Sequence, residues 1–152
     1  MTGQYGRRPM RLTFEPPADP AAYPYAHAIR VRFAETDAMR IVHHAAYLPY
    51  LEEARVAYLR HLGHPYLEVH EEHGVDFAVL EAYVRYVQPL RFDDVVDVHL
   101  VLGAATRATF QMGYLLQVAG QTRASAVTVH GCVDRDGRPV RMPAWLGDLA
   151  PR

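Results

Sequence analysis

A chain of 152 residues, half of them hydrophobic, is long enough to fill one well-packed domain and short for two. Sixteen Lys and Arg against seventeen Asp and Glu leave a formal charge of −1, so no global basic field exists to recruit nucleic acid or an anionic membrane. The lone cysteine, Cys132, excludes an intrachain disulfide, and no apolar run approaches the ~20 residues of a membrane span. With no apolar signal core after Arg7 and Arg8, the expectation is a soluble cytoplasmic protein.

Residues 1–25 read as an appendage. Pro16, Pro17, Pro20 and Pro24 punctuate an Ala-rich, weakly patterned stretch, which predicts a flexible tail ahead of a single domain over 26–152. From Ala26 the pattern changes: Ile29, Val31 and Phe33 alternate with Arg30 and Arg32, the signature of a strand with one apolar and one charged face. This strand breaks at Asp37, and Glu35 to His43 reads as a loop.

Leu48, Leu51, Ala54, Tyr58, Leu59 and Leu62 then recur at helical spacing, with Glu52, Glu53 and Arg60 largely on the other side. Pro49 is tolerated only in a first turn, so the helix should begin near Ala45 or Ala46 and stop at Gly63. Its length of about 27 Å, at ~1.5 Å per residue, would cross a small domain. Pro65 can open a shorter helix through Glu72, closed by Gly74. Four strand-like runs follow, Phe77 to Leu90, Val95 to Leu102, Arg107 to Val118 and Thr122 to Val133, with a tight hairpin at Ala119-Gly120 and a turn at Asp136-Gly137. The order predicts an α+β domain in which one long helix lies on an antiparallel sheet. A single helix layer leaves apolar sheet uncovered, so self-association through an edge strand or the helix layer is expected.

The opening segment also places a carboxylate, Asp37, at the mouth of the long helix. The first N–H groups of a helix lack partners within it and carry its positive dipole end, which suits an anionic oxygen. Such a pairing can perform acyl-transfer chemistry.

Thr36-Asp37, Ile41-Val42, His43-His44, Tyr47 and Glu52-Glu53-Ala54-Arg55 follow one another in an order that resembles the opening of the hotdog-fold acyl-CoA thioesterases, in their hydroxybenzoyl-CoA thioesterase-like branch. The segments YVQPLRFDDVVDV, ATFQMGY and AVTVHGCVDRDGRPVRMP look like the remaining strands, so the resemblance runs from about Ala26 to Leu149. It implies a hotdog fold, a homodimer assembled further into a homotetramer, and acyl-CoA bound at the subunit interface. It assigns Asp37 as catalytic carboxylate, either nucleophile on the thioester carbonyl or base for water, and the backbone N–H of His44 as oxyanion donor. A donor of that kind is worth ~3 kcal/mol to a tetrahedral oxygen.

One position departs from the pattern. Arg40 stands where many members have Gly, so either the loop is rearranged or Arg40 bears backbone strain, and its cation could meet Asp37 or a CoA phosphate. Arg107 resembles a position that is often basic in the family and is the first candidate for CoA phosphates, ahead of Arg85 and Arg91. Thr128 is a candidate for positioning water, and Tyr47 and Tyr50 for a pocket wall. Glu52 and Arg55, three apart on the helix, read as an ion pair. The paired histidines His61/His64 and His70/His73 read as surface residues, since zinc needs three or four convergent ligands. The resulting reading is hydrolysis of an acyl-CoA to free acid and CoA, with no metal and no cofactor beyond the CoA of the substrate. The alternatives are an acyl-carrier-protein thioesterase and a noncatalytic acyl-CoA-binding module. The acyl group is left open.

Overall fold

The computed structural model describes residues 9–151. Five strands, β1 (Tyr25–Arg30), β2 (Asp76–Tyr86), β3 (Val95–Ala105), β4 (Thr109–Val118) and β5 (Gln121–Val133), form one sheet in the order β1-β3-β4-β5-β2. All neighbours are antiparallel, leaving β1 and β2 as the edges. Helix α1 (Tyr47–His61) lies on one face, followed by α2 (Tyr66–His73), and a short helix α3 (Ala144–Gly147) closes the chain.

The core forms because α1 and the strands each present one apolar face. Tyr50, Leu51 and Ala54 of α1 are buried against alternate residues of β3 and β4, among them Val98, Leu100 and Tyr114. Each large side chain taken out of water there contributes about 1.5–3 kcal/mol. Cys132 sits in the same core, where burial pushes its thiol up to about 11. The β4–β5 hairpin turns through Ala119 and Gly120, both at positive φ (49° and 77°), the backbone a two-residue turn needs to match strand twist. Gly74, at φ 62°, ends α2 as the sequence indicates.

Three boundaries differ from the sequence reading. Strand β1 stops at Arg30, because the Val31 N–H and C=O turn to Asp94 O and Asp93 N (2.9 and 3.1 Å) at a corner of the fold. Phe33 consequently falls in a 3-10 turn (Phe33–Glu35), is 75% exposed, and meets Phe92 edge-on. Helix α1 begins at Tyr47 after a 3-10 turn over His44–Ala46, which keeps Pro49 within the first turn. Strand β2 ends at Tyr86, where the Val87 and Gln88 N–H groups both donate to Arg123 O.

Residues 9–24, which read as part of a tail, lie against the sheet face opposite α1. Phe14 packs on Gly103 and Gly113, and Tyr23 is buried, its hydroxyl donating to Pro17 O at 2.7 Å. The apolar sheet that the sequence left uncovered is covered there by the chain itself. No helix among the described residues is long and apolar enough to cross a membrane.

Candidate active site

The loop between β1 and α1 is a tight, self-bonded hairpin. Thr36 bridges Val42, Asp37 N donates to Ile41 O (2.9 Å), and Arg40 N donates to Asp37 O (2.9 Å). The Met39 N–H donates to Asp37 Oδ1 at 2.8 Å, an Asx turn that fixes the carboxylate. Among the described residues, Asp37 Oδ2 has no hydrogen-bond partner. Closing this hairpin requires a left-handed residue, and Arg40 supplies it at φ 63°. Of the two alternatives at this position, Arg40 carries backbone strain.

The helix mouth is built next to it. His43 caps the 3-10 turn, its Nδ1 accepting the Ala45 N–H at 3.0 Å while its C=O accepts Ala46 N at 2.9 Å. The ring of His44 stacks on that of His43, with centroids 4.1 Å apart, and the His44 C=O accepts the Tyr86 hydroxyl at 3.1 Å. No acceptor for the His44 N–H is found among the described residues. Asp37, Met39, Ile41, His44, Tyr47 and Tyr86 line one cleft of about 350 Å³, walled on its far side by Val87 to Pro89. Tyr47 is 3% exposed and meets Tyr86 edge-on; burial raises its phenol further above the range of a useful base.

Glu35 ties this loop to α1. Its Oε1 accepts the Tyr50 hydroxyl (2.9 Å) and the Arg32 N–H (2.7 Å), its Oε2 meets the Arg32 guanidinium (3.3 Å), and its C=O accepts His43 N (2.9 Å). Burial pushes this carboxyl up, but the bonds from Arg32 and Tyr50 outweigh it and hold Glu35 below the usual carboxylate range.

Residues 31–149 match the thioesterase-like superfamily. The chain belongs to that superfamily. A crystal structure of a hypothetical protein from Aquifex aeolicus superposes with a TM-score of 0.78 at 39% identity, covering 83% of this chain and 98% of that one. A 1,4-dihydroxy-2-naphthoyl-CoA hydrolase of Thermosynechococcus vestitus is 32% identical over 122 residues, 76% of this chain and 84% of the relative. The acyl-CoA thioesterase YbgC of Haemophilus influenzae is 29% identical over 120 residues, 78% of this chain and 88% of the relative. The hotdog architecture expected from the sequence is the one present.

Within this superfamily member, Asp37, His44 and Tyr47 line the cleft at one end of the sheet, while Arg40 lies exposed in the neighbouring hairpin and is not among the lining residues. Arg107 does not join them: it occupies the exposed β3–β4 turn, and the length of β3, roughly 33 Å at 3.3 Å per residue, separates the two ends. Thr128 is buried at mid-sheet, bonded to Tyr114 OH and His130 Nε2 (both 2.8 Å), and borders a separate groove between α1 and β2. Arg55 extends that network by donating to Tyr114 OH at 3.2 Å, and no Glu52–Arg55 ion pair is found among the described residues. Burial depresses His130 to about 3, so its ring is neutral. The paired histidines go separate ways: His61 stacks on Tyr25, His64 on Trp145, and His70 bonds Asp76 at 2.6 Å. Glu35 and Tyr86 escaped the sequence reading. A carboxylate two residues before Asp37 was the available signal for Glu35; Tyr86 gave none.

Proposed function

We propose that the chain hydrolyses acyl-CoA thioesters to a free acid and CoA, in the cytoplasm, with Asp37 as the reacting carboxylate and the His44 N–H as oxyanion donor. The observation that carries this is the single cleft shared by a half-buried carboxylate with one free oxygen and the unpaired N–H of a helix start. As a base, Asp37 takes a proton from water while the water oxygen adds to the thioester carbonyl; collapse of the tetrahedral oxygen then expels CoA thiolate. As a nucleophile, Oδ2 forms a mixed anhydride with loss of the thiolate, and water cleaves it. Both routes develop negative charge on the same carbonyl oxygen, where the helix N–H serves.

Strand β2 is an open edge carrying Val79, Leu80, Tyr83 and Tyr86, each at least 40% exposed, so a homodimer formed through β2 accounts for it. Twofold antiparallel pairing sets the Arg107 end of one sheet beside the Asp37 end of the other. The partner subunit's Arg107 and the chain's own Arg40 would then supply the local cations that CoA phosphates need on a chain with no net positive charge.

The test is free-thiol release from short, medium, long and aromatic acyl-CoAs, with an acyl carrier protein thioester alongside. Release from at least one CoA ester is expected. Release from the carrier protein alone would shift the substrate, and binding without release from any ester would make the chain a noncatalytic module.

Arg40→Gly separates the two contributions of that residue. A left-handed backbone costs a residue with a β-carbon roughly 1–2 kcal/mol, and the extra freedom of glycine in the unfolded chain returns about 0.5–1 kcal/mol. Urea unfolding is therefore expected to show stability unchanged or raised by up to about 1.5 kcal/mol. KM for CoA esters is expected to rise about tenfold, the loss of one charge-assisted contact.

A further inference from the structure

The sheet face turned away from α1 is unusually well sealed for a surface with no helix on it. Leu115, Val127 and Val129 point to that side and are 2%, 0% and 1% exposed. The C-terminal segment packs on the other side, where Leu146 joins the core around α1. What lies on the outer face is the segment 9–24, and the sheet is shaped to receive it.

Gly103 on β3 and Gly113 on β4 form a notch filled by the Phe14 ring: a Cβ at either glycine would stand 2.3–2.4 Å from ring atoms. Beside the notch, Gln111 spends its whole amide on the same segment. Its Oε1 accepts Thr13 N (3.0 Å) and Phe14 N (3.1 Å), and its Nε2 donates to Arg11 O (2.8 Å) and Thr13 Oγ1 (2.9 Å). These four bonds are the full capacity of a side-chain amide, on a residue only 8% exposed. At the β2 edge, the Glu81 carboxylate accepts Arg11 N (2.9 and 3.0 Å) and lies 3.5 Å from the Arg11 guanidinium. The segment thus crosses the sheet from β2 toward β1, held by main-chain bonds at one place and a ring in a fitted notch at the next. It lies outside the superfamily match, which begins at residue 31.

We infer that residues 9–24 are a fitted strap, and that the Gly103–Gly113 notch with Gln111 and Glu81 is its recognition site, reserving the outer sheet face for the chain's own N-terminal segment and preventing a second copy from stacking sheet to sheet. Removing the strap would leave an apolar face and four unmade amide bonds, a surface that a second sheet could cover. Assembly of the intact chain is thereby confined to the β2 edge and the helix side. This inference is independent of the reaction catalysed.

The test uses the full chain carrying Phe14→Ser, which removes the ring and leaves sheet and helix untouched. In limited proteolysis read by intact mass, trypsin is expected to cut after Arg11 at least about tenfold faster in the variant than in the native chain, because cleavage follows the open fraction of the segment. In light scattering at matched concentration the variant is expected to be heavier than the native chain, and a synthetic peptide of residues 9–17 to return it to the native mass. Equal cleavage rates would overturn the strap. Faster cleavage at unchanged mass, or a gain in mass that the peptide does not reverse, would overturn its control of assembly.

Discussion

Asp37→Asn is expected to lower thioester hydrolysis by about 10²–10⁴-fold while leaving stability within about 0.5 kcal/mol of the native chain. The two halves of this result follow from different atoms. An asparagine Oδ1 still accepts the Met39 N–H, so the Asx turn and the hairpin around it persist. The free Oδ2 becomes an amide nitrogen, which can neither attack a carbonyl nor take a proton from water. Substrate binding, read as KM or by direct titration, should change little. Asp37→Ala removes the turn acceptor as well and is expected to cost stability in addition to activity, so the asparagine variant is the cleaner measurement. Activity near that of the native chain in Asp37→Asn would remove Asp37 from the chemistry whatever the fold.

Glu35→Gln is expected to destabilise the chain by about 1.5–3 kcal/mol at pH 7, the range for hydrogen bonds made to a charged group. The variant's amide oxygen can still accept both the Tyr50 hydroxyl and the Arg32 N–H, but it loses the charge that strengthens those bonds and sets an amide NH2 against the Arg32 guanidinium. The sign with pH is fixed by the direction of the shift. A carboxyl held lower in the folded state than in the unfolded one stabilises fully above its unfolded value, about 4.3, and that contribution is lost as pH falls through the folded value. The native chain and Glu35→Gln should therefore differ most at neutral pH and converge in acid, as denaturant midpoints at pH 7, 4 and 3 would show. A constant difference across that range would mean that Glu35 acts by shape alone. Because the Glu35 side chain ties the loop to Tyr50 of α1, the same variant is expected to slow turnover by loosening the loop against that helix, with a smaller effect than any change at Asp37.

How legible these features were in the sequence depends on how far apart their partners lie. Helix α1 and the strands were readable because their apolar residues repeat locally, and the Asp37 loop because its residues follow in a fixed order within one short stretch. Even the strained turn at Arg40 showed as a missing glycine. Glu35 and Tyr50 are 15 residues apart and belong to different elements, so no periodicity joins them. Arg55 had an obvious partner at Glu52, yet it donates to Tyr114, 59 residues on, because the fold brings that hydroxyl to the inner face of α1. The strap is the clearest case. Its prolines and alanines look like a linker, and what makes it structure is a pair of glycines and a glutamine about 90–100 residues away, none of which carries an apolar pattern. Phe33 failed in the opposite sense: the alternation ran one step past the corner at Val31, and the ring that should have been inside lies outside.

The buried thiol of Cys132 has a practical bearing on all of these measurements. It is the only sulfhydryl in the chain, fully enclosed near the C-terminal end of β5, and its raised pKa keeps it in the unreactive thiol form. A thiol-detecting dye added to the folded protein should stay colourless until CoA is set free, and then register the protein itself only when the sheet opens. One reagent in one cuvette could thus serve as both a product meter and a melting gauge, separated by timescale.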